Sequence, residues 1–140
     1  MGADMARFPS AAHLASWAGM CPGNHESAGM HTSGKSRPGD PWLKNALGLA
    51  ATAAARGKNT YLASRYKRIA IRRGKKRALV ALGHTILTSI WHMLINDAEY
   101  ADLGADYFLQ RTGRARQTRR LVSQLNMLGY QVSLQSADAD

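Results

Sequence analysis

The sequence has one cysteine, Cys21, in 140 residues, which excludes an intrachain disulfide framework and fits a reducing compartment. It is also short of acids. Nine Asp and Glu face 19 Lys and Arg, leaving a formal charge of +10 and a pI near 10.4. A field of that sign concentrates phosphate-bearing polyanions, nucleic acid first. Residues 1–10 carry Asp4 and Arg7 and no apolar run, so no signal peptide is expected and the cytoplasm is the expected location. The uncharged run at 78–95 is long enough to span a bilayer. It contains Gly83, His84, Thr85, Thr88, Ser89 and His92, whose polarity favours a buried helix, and no membrane partner is expected.

What is present is apolar material for a core, 45% of residues, enough for one mainly α domain over 1–135 with a disordered tail at 136–140. Ser10 is placed to cap a short helix over 11–18, with Leu14, Trp17 and Ala18 on one face. Residues 20–39 are rich in Gly, Ser, Pro, His and Asn and read as a long loop. Asp40 followed by Pro41 starts a helix over 41–56, with Leu43, Leu47, Ala50 and Ala54 at helical spacing and Gly57 as its stop. Thr60 opens a third helix in which Leu62, Tyr66 and Ile69 share a face. Gly74 interrupts it, and 75–96 follows as the central helix, apolar around most of its circumference. Leu121, Leu125 and Leu128 mark a last helix stopped by Gly129. Tyr130, Val132 and Leu134 alternate with polar residues and read as a short C-terminal strand.

The strongest chemical signal is at residues 65–77. Arg65, Lys67, Arg68, Arg72, Arg73, Lys75, Lys76 and Arg77 are interleaved with Tyr66, Ile69 and Ile71, inside an interval from Pro41 to Asn96 that holds no acid. A phosphate backbone matches such a surface, and Lys35, Arg37 and Lys44 extend the candidate nucleic-acid-binding set. Ser27, within Asn24-His25-Glu26-Ser27-Ala28-Gly29, is the one credible nucleophile, because small neighbours let a hydroxyl and a phosphate approach; the plainer reading is a turn or capping serine. Cys21, His25 and His31 match no common zinc spacing, so no metal is expected. His84 and His92 read as core or interface histidines, and Asp102 and Asp106 as caps in the loop at 97–106.

Several runs together resemble the C-terminal domain of IS110/IS116/IS902-family transposases. They are Arg7-Phe8-Pro9-Ser10 through Trp17-Ala18-Gly19, Cys21-Pro22-Gly23-Asn24, Glu26-Ser27-Ala28-Gly29, Gly39-Asp40-Pro41-Trp42-Leu43, Tyr61-Leu62-Ala63-Ser64-Arg65-Tyr66, Arg72-Arg73-Gly74-Lys75-Lys76-Arg77-Ala78, and Asp102-Leu103-Gly104-Ala105-Asp106-Tyr107-Phe108. The resemblance extends to about Leu134.

It implies a bacterial, nucleoid-associated recombinase in two parts: an N-terminal RuvC-like domain whose acidic tetrad holds divalent metal, magnesium by expectation, and a C-terminal domain with a serine nucleophile, here Ser27. It also implies DNA as substrate, a structured guide RNA, and assembly as a homo-oligomer or with full-length transposase. The sequence departs from the pattern in having no RuvC-like part and in carrying Met30, His31, Thr32 and Pro38 where basic residues are usual. The resulting expectation is a truncated DNA-binding domain of a DNA-transposition enzyme, binding no cofactor itself and inactive alone. The competing class is a non-enzymatic nucleic-acid-binding regulator of full-length transposase.

Overall fold

Ser10, Asp40 and Thr60 all cap helices, as their positions predict. In the computed structural model, which describes residues 4–21, 25–27, 29–32, 36, 38–111 and 113–135, Ser10 Oγ accepts the His13 N–H, Asp40 Oδ1 the Leu43 N–H at 2.8 Å, and Thr60 Oγ1 the Ala63 N–H at 3.3 Å. These caps open α1 (Ala11–Trp17), α2 (Pro41–Ala55) and α3 (Tyr61–Arg73). Only the backbone is described for residues 25–27, 30–32 and 114. The chain divides into two compact units, residues 1–105 and 106–140. The tail assigned to 136–140 lies outside the described residues.

In the first unit α4 (Lys75–Asn96) is the hub, packing on α1, α2, α3 and a 3-10 turn at Met5–Arg7. The sequence places it at the centre, and it is there. Its buried residues are a stripe only, Ala78, Leu82, Gly83 and Leu87, while Val80, Leu94 and Ile95 are exposed. It is the one helix among the described residues long and apolar enough to cross a membrane. The core joins Met5, Leu14, Ala15, Ala18, Met20, Leu47 and Leu87, with Phe8, Cys21, Leu43, Ile86 and Trp91 packed against it. Trp91 Nε1 donates to the Phe8 carbonyl at 3.3 Å, tying the start of the chain to α4.

Small residues set the spacing between these helices. Ala51 on α2, Ala63 on α3 and Ala78 on α4 are buried, and such short side chains let helix axes approach closely. Gly39 lies so near α1 that a Cβ there would stand 2.3 Å from the Ala18 carbonyl oxygen. At Gly83 a Cβ would meet the Met20 methyl at 2.7 Å.

The long loop expected at 20–39 contains a hairpin. β1 (His25–Ser27) pairs antiparallel with β2 (Met30–Thr32), in the register His25↔Thr32, Glu26↔His31, Ser27↔Met30. Strands of three residues are too short to show alternation, so no periodicity marks them. The C-terminal strand read from Tyr130, Val132 and Leu134 does not form; residues 130–135 have no regular secondary structure. Among the described residues only β1 and β2 pair, and a lone strand leaves its ladder groups unpaired. In the second unit a short helix, α5 (Tyr107–Arg111), packs on α6 (Arg114–Met127).

Gly39→Ala is expected to lower stability by about 1–3 kcal/mol, because carbonyl and backbone cannot yield as a side chain can. Gly83→Ala should cost less, since the Met20 end can swing away and alanine gains helix propensity of about 1 kcal/mol. Urea denaturation of both variants checks the order; equal losses would contradict it.

Candidate nucleic-acid interface

The basic segment folds into a corner. α3 ends in Arg72 and Arg73, Gly74 turns the chain with φ 81° and ψ 160°, and Lys75, Lys76 and Arg77 begin α4. That backbone conformation is essentially reserved for glycine. Residues 71–77 are all exposed, Ile71 at 87%. The corner therefore presents five cations and an apolar residue outward from one bend.

The two helix ends treat those charges oppositely. Arg72 and Arg73 sit in the last turn of α3, where the negative end of the helix dipole favours cations. Lys75, Lys76 and Arg77 sit in the first turn of α4, where the dipole opposes them. That turn has no acidic residue, and Gly74 offers no side-chain cap. Unlike α1, α2 and α3, α4 thus starts with backbone N–H groups lacking a side-chain acceptor, surrounded by positive charge. An anion placed there relieves both deficits, the condition under which phosphate binds helix N-termini.

The remaining sequence candidates divide. Lys67 and Arg68 are exposed on α3, and Lys44 is half-buried on α2. Arg65 is half-buried; its Nη1 donates to the Tyr61 hydroxyl at 3.3 Å, and its Nε is buried with no hydrogen-bond partner. Burial first, and then the Arg65 charge, hold His84 on α4 below its ordinary pKa, so this arginine lies against the α3–α4 contact. Lys35 and Arg37 lie outside the described residues. Ser27 is the last residue of β1, ahead of Gly29 at φ 78°, so its backbone stands at a tight hairpin turn. Cys21 is half-buried against the core. Among the described residues no group of His, Cys, Asp and Glu comes together to hold a metal ion.

The sequence also places a capping carboxylate in the loop at 97–106, but not its partner. Asp102 Oδ1 accepts the Tyr61 N–H at 3.0 Å and the Gly104 N–H at 2.7 Å, and its Oδ2 accepts the Tyr100 hydroxyl at 3.2 Å. With Thr60 it gives α3 a double cap, from a residue 41 positions away. No local signal identifies such a bond.

Residues 1–68 match the model of the Transposase IS116/IS110/IS902 family. This stretch, just under half of the chain, is similar to a transposase domain of that family. It spans α1, the hairpin with Ser27, α2 and the first part of α3, and it ends ahead of Arg72 and the Gly74 corner. No curated protein and no solved structure matches the chain. The transposase match thus includes Ser27, Lys35, Arg37, Lys44, Arg65, Lys67 and Arg68, while the five cations of the corner lie beyond its end.

Two outcomes follow from these charges. Lys75→Glu should stabilise the fold by about 0.3–1 kcal/mol by matching the α4 dipole, while weakening any polyanion bound there; calorimetry and a binding titration on one sample test both signs. The hydrogen bonds to Asp102, the one from the Tyr61 backbone foremost, hold its carboxyl below the ordinary 3.8. Its contribution to stability is fully present above that ordinary value and is lost as pH falls through the lowered one. The acid limb of the stability curve should therefore be shallower in Asp102→Ala than in the parent.

Proposed function

We propose that this chain is the DNA-binding, serine-bearing domain of an IS110-type transposase, and that the Gly74 corner grips the phosphate backbone. The observation that carries this reading is the concentration of Arg72, Arg73, Lys75, Lys76 and Arg77 at one exposed corner, where α3 ends and α4 starts uncapped, close after a segment that matches the transposase family. Phosphate contacts of this kind position a duplex without reading its sequence. Lys67 and Arg68 continue the same track along α3.

Ser27 is the proposed nucleophile. Its hydroxyl oxygen would form a bond to phosphorus as the bond from phosphorus to a deoxyribose oxygen breaks, that oxygen taking up a proton. The phosphoserine link keeps the phosphodiester bond energy for rejoining. Among the described residues no cluster of His, Cys, Asp and Glu could hold a resident divalent ion. The metal-binding acidic tetrad that the family resemblance implies belongs to a RuvC-like domain, and we propose that this chain alone binds DNA without cutting it.

Duplex binding should weaken steeply with salt, by roughly 0.9 in log K per log unit of salt for each phosphate contact. Changing Arg72, Arg73, Lys75, Lys76 and Arg77 to Gln should flatten that slope by about 4. An unchanged slope would remove the corner from the interface. With DNA and magnesium, no covalent adduct is expected from the chain by itself. An adduct that Ser27→Ala abolishes would overturn its inertness and establish the nucleophile. If a RuvC-like partner domain is supplied and Ser27 still forms no adduct, the non-enzymatic regulator becomes the better reading.

A further inference from the structure

The second unit carries its own set of cations, outside the transposase-family match. From Tyr107 to Ala137 there is no Asp or Glu, and Arg111, Arg114, Arg116, Arg119 and Arg120 all fall in that interval without a single lysine. On α6 the 100° step per residue places Arg116, Arg119 and Arg120 on one side with Ser123, opposite Leu121, Leu125 and Leu128. All three arginines are exposed. The start of α6 repeats the arrangement at α4. A glycine, Gly113, stands at the N-cap, no side chain caps the helix, and the first turn holds no acid.

We infer that the arginine face of α6 is a phosphate-binding surface in its own right, one that contacts a nucleic-acid backbone. This rests on the function proposed above. Arg116 lies in the first turns of α6, where the dipole opposes a cation and an anion relieves it. An exclusively arginine set favours phosphate, because each guanidinium presents a planar fork that two phosphate oxygens can fill. The leucine side of α6 remains available for packing without competing with this use.

An amphipathic basic helix can also lie on an anionic membrane. The nucleic-acid reading is favoured because α6 carries no aromatic residue of the kind that anchors helices at a lipid interface.

The test is a salt titration of duplex binding with the full chain in three forms: parent, Arg116→Gln/Arg119→Gln/Arg120→Gln, and the same positions changed to Lys. The Gln form should lose affinity and show a log K against log salt slope shallower by about 2–3. The Lys form, keeping the charge, should retain the parent slope, which separates charge loss from misfolding. If the Gln form keeps both affinity and slope while the corner variant loses them, this inference fails and the proposed function stands. If neither set matters, both fail. Binding of the parent to phosphatidylserine vesicles that the Gln changes abolish, with duplex binding intact, would assign α6 to a membrane surface instead.

Discussion

Close approach of α1, α2 and α3 to α4 is the constraint on which the first unit depends. It is met by leaving out side-chain volume: alanines at 15, 18, 51, 63 and 78 are buried, and glycines occupy the two positions where a Cβ would strike backbone or a neighbouring side chain. With so little bulk between helices, few large residues need to be buried, and Leu14, Leu82 and Leu87 are the largest that are fully so.

The ends are not treated alike. Three helices begin on a side-chain cap, and α3 receives a second from Asp102 across 41 residues. The α4 start forgoes one and takes three cations in its first turn, an arrangement that costs stability and that a bound anion would relieve. Stability given up at this exposed corner, in a unit whose other three α-helices are all capped, is a physical reason to look for function there.

Asp102 links the end of the first unit to the helix that leads into the corner. By accepting the Tyr61 N–H it anchors the loop that follows α4 onto the start of α3, so both helices of the basic hairpin are held near the ends away from Gly74. The corner can then remain exposed without its geometry depending on contacts of its own.

The sequence by itself determined α1 to α4 and marked the last helix, but not the short α5. Caps at Ser10, Asp40 and Thr60, the break at Gly74 and the apolar period of α4 are local signals, each expressed within a turn of chain. It also determined the charge, since an acid-free interval is basic in any fold. Short strands were not legible at 25–32, because three residues cannot display a period; a strand was wrongly read at 130–134, because alternation says nothing about whether a partner exists. Only tertiary structure decided which cations face outward. Arg65 and Arg72 read alike in sequence, yet the first lies half-buried against His84 of α4 and the second is exposed, because the side of α3 that each occupies relative to α4 is set by packing.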